Sequence, residues 1–347
     1  MSQPTPPAIH SLTALLEASG ATWRVMDLGR RVVEISNRDF VDFEAIRSPY
    51  PLPLQRQAFV GLLFWHPTQT EQHFIWFLRL PLDEQGLLVP DARDAFLAWQ
   101  LEKGLTNPLQ GGQQSADDAP FTFRPRDDRM AVFHAKATRI LGQPPSQYHA
   151  HALRYLRGEL GYKQWAFVGL QGLADVAARL DQDDAANALT EHLPQLPPQP
   201  FAALCGCLEN EAIDGRLARS LGNIVRLALA ANDGERLISA LRALSATRAT
   251  ELRDGLLTEV LNHPMGQQAD ILLLIAARLW ESLKSPAVVL HYCETLAGTP
   301  SEIFDACLTD LLFLPGMRAP IMAALRDENR SPRLAGAVGR LFRLAGR

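Results

Sequence analysis

Residues 285–300 read Ser-Pro-Ala-Val-Val-Leu-His-Tyr-Cys-Glu-Thr-Leu-Ala-Gly-Thr-Pro. Within this stretch one helix starts, runs through an apolar body, stops, and hands over to the next. Ser285-Pro286 and Thr299-Pro300 each place an N-cap hydroxyl ahead of a proline at the first helical position, and Ser331-Pro332 repeats the device. The hydroxyl accepts an orphan amide, while proline lacks only a donor that the first turn could not have used. Glu302, three residues beyond Thr299, predicts a capping box, and Gly298 marks the preceding helix end.

Working outward, such starts recur near Pro200, Asp233, Gln267, Thr299 and Ser331, 32 to 34 residues apart. A second series falls at Asp214, Thr250, Ser285 and Met317, at 32 to 36. Stop signals sit at Gly161, Asn232-Asp233-Gly234, Pro264 and Pro315-Gly316. Apolar residues keep helical spacing: Phe201, Leu204, Cys205 and Leu208; Leu217, Leu221, Ile224 and Val225; Phe304, Cys307, Leu308 and Leu311. Two helices in a period of about 34 residues predict an α-solenoid of hairpin repeats, HEAT-like rather than tetratricopeptide or ankyrin. The expectation is an all-α repeat domain over 143–347 with no strand after Pro144.

Residues 1–142 mix periods and predict an α+β domain with a hairpin-based antiparallel sheet. Thr22–Asp27 and Arg30–Ser36 alternate as a hairpin turning through Leu28-Gly29. Phe59–Trp65 and Phe74–Leu80 are the strongest strands, apolar on both faces and joined by a short polar link. Helices are expected over 9–18, over 91–103 with Phe96, Leu97 and Trp99 inward, and over 129–141 as the connection. Phe121–Arg124 suggests a last strand, and 107–120 a mobile loop.

The chain of 347 residues is 47% hydrophobic and 21% charged, which is globular, and its net charge of −4 gives no global pull towards nucleic acid. No apolar run approaches the ~20 residues of a spanning helix, so no membrane role is expected. Four cysteines in so long a chain make no disulfide framework and imply a reducing cytoplasm. Cys205 and Cys207, two apart on a helix, point away from each other, and so do His149 and His151. Neither pair suits a metal. No nucleotide loop, nucleophile elbow or zinc-protease signature occurs, so no catalytic residue and no cofactor is expected. Asp181-Gln182-Asp183-Asp184 opens a helix, where acidic residues cap amides. Gly169-Leu170-Gln171-Gly172 lies in a helical pattern over 165–180, with small residues that admit a close neighbour.

One charge feature stands out. Arg333, Arg340, Arg343 and Arg347 fall within ~80° of each other on the terminal helix at 100° per residue. They form a candidate partner-binding stripe for an acidic protein or for phosphates.

Leu82-Asp83-Glu84, just after the second long strand, resembles the short motif of a proteobacterial family known only as a domain of unknown function. The α+β-then-helical layout is similar too. That resemblance implies a bacterial cytoplasmic protein and brings no activity. The expected function is a non-enzymatic adaptor that binds a protein partner through its solenoid surface. A nucleic-acid accessory factor using the arginine stripe is the second reading, and an enzyme with a site between the domains the third.

Overall fold

The computed structural model describes residues 10–103, 107–109 and 119–345. The chain divides into two compact units, Met1–Arg126 and Asp127–Arg347. The helix expected as a connection therefore belongs to the second unit. Its Arg129 and Lys136 reach Glu209 and Glu211, which fastens it there.

In chain order the first unit holds α1 (Leu12–Ala18), β1 (Thr22–Asp27), β2 (Val33–Ile35), α2 (Asn37–Glu44), β3 (Gln57–His66), β4 (Gln69–Pro81) and α3 (Pro90–Glu102). The strands form one antiparallel sheet in the order β2-β1-β3-β4. The β3–β4 hairpin is the expected one, with Phe64 opposite Phe74 and Leu62 opposite Trp76. Leu62 and Leu63 point to opposite faces and are both fully buried, so both faces of the sheet are covered. On one face Trp76 meets Phe96 of α3 at 5.2 Å and Trp23 meets Phe40 of α2 at 6.3 Å. Gln100, rather than the half-buried Trp99, is the third inward residue near the end of α3.

Phe121–Arg124 makes one bridge, Thr122 opposite Leu78, and no strand. Phe121 has φ +63°, which bends the backbone out of the extended form that pairing needs. At the β1–β2 turn, Asp27 accepts from the Arg30 and Arg31 amides at 2.9 and 3.0 Å, and the Tyr50 hydroxyl donates to it at 2.9 Å.

The sequence reading lacked α2. Its last residue, Glu44, is buried and accepts from the Leu12 amide, the Thr13 amide and the Thr13 hydroxyl at 2.8, 3.1 and 2.6 Å. It thereby caps α1 from a distance.

In the second unit come α4 (Asp127–Ile140), α5 (His149–Leu156), α6 (Leu170–Ala177), α7 (Ala185–His192), α8 (Pro198–Leu208), α9 (Gly215–Ala231) and α10 (Gly234–Leu244). They are followed by α11 (Thr250–Asn262), α12 (Ala269–Arg278), α13 (Pro286–Leu296), α14 (Ser301–Phe313), α15 (Arg318–Leu325) and α16 (Pro332–Ala345). No strand occurs among the described residues after Pro144. Packing follows two interleaved series. From α4 to α16 each even-numbered helix packs on the next even one, and from α5 to α15 each odd one on the next odd one. The three apolar stripes read from sequence are buried throughout.

Helix starts agree with the spacing, but the caps differ in detail. Asp214 accepts from the Arg216 and Leu217 amides at 2.9 Å each, Asp233 from the Arg236 amide at 3.0 Å, and Ser331 from the Leu334 amide at 3.1 Å. The Ser285 side chain makes no cap bond. Thr299 stands one residue too early: Pro300 takes the N-cap, and the Thr299 hydroxyl donates back to the Leu296 carbonyl at 2.7 Å. No capping box forms. Asp184 holds the N-cap of α7 in a left-handed conformation without capping through its side chain.

The helix expected over 165–180 is broken. Tyr162–Phe167 is a tight 3-10 turn, extended backbone follows at Val168 and Gly169, and α6 begins at Leu170. Gly172 does admit a close neighbour, since a Cβ there would stand 2.7 Å from the Tyr148 carbonyl oxygen.

Two measurements check these contacts. Gly172→Ala should cost about 1–3 kcal/mol in denaturant unfolding, because the obstructing atom is backbone. Burial pushes the Glu44 carboxyl above its ordinary 4.5, against the pull of its Thr13 and Leu12 donors. The unfolded residue ionises first, so the stability that Glu44 lends is fullest below 4.5, falls as pH rises towards the raised folded value, and is level above it. The melting temperature of wild type minus that of Glu44→Gln should therefore shrink as pH rises from about 4 to 7; a widening gap would contradict this.

Candidate interaction surface

Helix α16 buries Leu334 and Ala337. On its far side Arg333, Arg340 and Arg343 are exposed, while Arg347 lies outside the described residues. Gly336 and Gly339 share that side, and the Arg340 and Arg343 guanidinium groups fold back to 4.0 and 3.8 Å from where their Cβ atoms would stand. The helix backbone is thus bare between its cations. Arg333 donates to the Glu294 carbonyl oxygen at 2.9 Å, which fixes it without neutralising it. Arg318 and Arg326, flanking α15, are exposed as well.

These arginines differ from many of those on the earlier helices. Arg129, Arg139, Arg154, Arg179, Arg226, Arg242, Arg253 and Arg278 each meet a carboxylate within 4.0 Å. Arg318, Arg326, Arg333, Arg340 and Arg343 meet none among the described residues.

Several features resemble sites but spend their polar groups internally. Glu209 is buried between Arg129 at 3.1 Å, Arg242 at 2.8 Å and Arg278 at 3.7 Å. Beside it, burial raises the Glu211 carboxyl against the pull of Lys136, 3.0 Å away. A shallow depression between the starts of α8 and α10 is lined by Phe201, Asp233 and Arg236. There the Arg236 guanidinium lies 4.4 Å over the Phe201 ring and donates to the Pro194 carbonyl at 2.9 Å. All four cysteines are free and buried. Burial raises their thiols, that of Cys293 to about 12, which removes thiolate character at neutral pH. No group of three or more His, Cys, Asp or Glu side chains among the described residues is placed to hold a metal. His149 is buried on α5 and His151 exposed.

Leu82-Asp83-Glu84 builds a turn. Leu82 is buried, and its amide donates to the Arg56 carbonyl at 3.0 Å. Asp83 accepts from the Gln85 and Leu87 amides at 2.8 and 2.9 Å. Glu84 pairs with Arg56 at 2.9 Å, a hydrogen bond that lowers its carboxyl on the exposed rim. Gly86, at φ +79°, closes the loop and accepts from the Tyr50 amide. The triplet therefore folds the end of β4 onto the loop before β3.

The model of the family described as "Protein of unknown function (DUF3549)" matches residues 7–342. The chain belongs to that family. The DUF3549 match runs through both units. No curated protein and no solved structure matches the chain.

Sequence reasoning missed one surface. Phe167, Tyr148 and Trp165 are 75%, 50% and 38% exposed. The sequence reading put two of these rings in a helical pattern over 165–180 and did not mark them as surface. The signal available was Gly161 and Gly169, which bracket the segment.

The turn has a direct check. Asp83→Ala removes the one oxygen that accepts from two amides and should cost about 1–2 kcal/mol, lowering the melting temperature by a few degrees. Asp83→Asn keeps an acceptor oxygen and should stay near wild type.

Proposed function

We propose that the chain is a non-enzymatic interaction protein whose second unit is an α-solenoid presenting an extended surface to a protein partner. The carrying observation is the interleaved packing of α4 to α16, in which each helix serves its neighbours two before and two after. Such a stack gains core by adding repeats and leaves long faces free for binding. The proposed contact is the arginine face of α16 with Arg333, Arg340 and Arg343, and Arg347 as its continuation. Free buried thiols suit work in a reducing cytoplasm, and no helix among the described residues is long and apolar enough to cross a membrane.

A nucleic-acid accessory role is the second reading. It is favoured by five guanidinium groups without carboxylate partners at one end of the unit. Salt separates the two. A ligand whose phosphates met all five would lose about 500-fold in affinity between 50 and 200 mM salt. A protein interface with an apolar centre loses far less.

The test is purification of the tagged full chain from its host, identification of what co-elutes, and titration of that partner against wild type and Arg340→Glu/Arg343→Glu. The double variant should melt within about a degree of wild type, because exposed unpaired charges add little to folding. It should bind the partner at least tenfold more weakly. Full retained binding would show that the stripe is only solvated.

A further inference from the structure

Helix α16 packs on α13, α14 and α15 with less apolar burial than any of them. It runs for 14 residues, and among its described side chains Leu334 and Ala337 are the buried ones. Helix α13, with 11 residues, buries Val288, Val289, Tyr292, Cys293 and Leu296. The apolar seam of α16 also opens along its length. Leu334 and Ala337 are closed off, Val338 and Leu341 are half-buried, and Phe342 is 47% exposed. A helix of this length is marginal in water by itself, so much of its order must come from polar contacts.

Those contacts converge on one residue. Glu294 of α13 accepts from the Ser331 amide at 2.7 Å with one carboxylate oxygen, and from the Ser331 hydroxyl with the other. The Glu294 carbonyl accepts from Arg333 at 2.9 Å. The Ser331 hydroxyl oxygen in turn caps the Leu334 amide at 3.1 Å. One carboxylate thus holds both the helix and its cap. Over residues 332–343 no hydrogen bond or ion pair besides that of Arg333 reaches another helix among the described residues.

The turn ahead of α16 is self-contained. Asp327 accepts from the Asn329 amide at 2.8 Å, and its carbonyl accepts from the Arg330 guanidinium at 3.0 Å and the Arg330 amide at 3.3 Å. These bonds do not cross to α13, so they persist when α16 leaves.

We propose that α16 is a strap that opens and closes as one body about the 327–330 turn, with the Glu294–Ser331 contact as its latch. Closed, it covers Leu334 and Ala337 and holds Arg333 against α13. Open, it carries Arg333, Arg340 and Arg343 away together and bares the apolar seam. One contact therefore decides whether the row of cations lies on the helical stack or on a free amphipathic segment. Local openings of this kind are drawn from the least packed elements of a fold. The device needs no partner, so it stands apart from the reading of the arginines as a binding face.

The test is native-state hydrogen exchange on the full chain, in denaturant too dilute to unfold it. Amides 337–343 are bonded inside the helix and should share one opening, roughly 100-fold or more easier than that of α10. Glu294→Ala should speed their exchange about 10- to 100-fold, as expected for losing bonds to a charged acceptor, and leave α10 unchanged. Ser331→Asp separates the latch from the cap. Aspartate is as good an N-cap as serine, but here it sets a carboxylate against Glu294. It should open α16 at least as far as Glu294→Ala does. Adding Glu294→Gln should close the helix again, by turning an amide donor towards that carboxylate. Protection of 337–343 equal to that of α10 would overturn the proposal. So would rates that rise steadily towards the C-terminus, which is fraying, or a Glu294→Ala chain with unchanged exchange. A Ser331→Asp chain as protected as wild type would show that the cap alone holds the helix. If Glu294→Ala speeds α10 by the same factor as α16, Glu294 serves the whole fold and is no latch.

Discussion

The Glu209 carboxylate is buried just beyond the end of α8, and three helices answer it: Arg129 from α4, Arg242 from α10 and Arg278 from α12. A lone charge at that depth would be prohibitive, so the fold must bring those guanidinium groups in. Removing one side of a buried pair costs about 3–5 kcal/mol, because the other is left uncompensated. The backbone is recruited too: the Ser245 hydroxyl donates to the Glu209 carbonyl, and Lys136 to that of Asn210. Four members of the even-numbered series, α4, α8, α10 and α12, are thereby held in one register. Apolar packing alone would let them slide, since leucine against leucine is tolerant of shifts that a salt bridge is not.

Much of this architecture was legible in the residues. Asp214 and Asp233 announce their helices because an acidic N-cap leaves a local signature, and both caps form. The β3–β4 hairpin was equally plain, since two aromatic runs joined by a polar link have little else to do. Errors arose where one local rule competed with another. Thr299 and Pro300 both suit the start of α14, and the proline won the N-cap position. Helix α2 was invisible because Asn37–Glu44 is mostly polar and turns inward only through Phe40, Phe43 and Glu44.

The candidate sites were legible only in part. The terminal arginines could be placed on one side of a helix from spacing alone. That they lack carboxylate partners, unlike Arg129, Arg226 and Arg242, depends on neighbours that no local pattern reveals. Arg129 meets a glutamate eighty residues downstream and Arg226 one thirty-three residues downstream, so pairing cannot be read from sequence proximity. The exposure of Trp165 and Phe167 was hidden by the helical pattern read over 165–180, which the extended backbone at Val168 and Gly169 breaks.

The side of α16 opposite its buried Leu334 and Ala337 is exposed, with no other helix among the described residues packed over it. Were that side of α16 apolar, the end of one molecule would template another, and head-to-tail contacts that do not close into a ring grow into fibres. Arg333, Arg340 and Arg343 stand there instead. Two such ends repel within a Debye length of about 8–10 Å, the range in which docking would begin. The same cations thus disfavour contact between two copies of the chain through this side of α16.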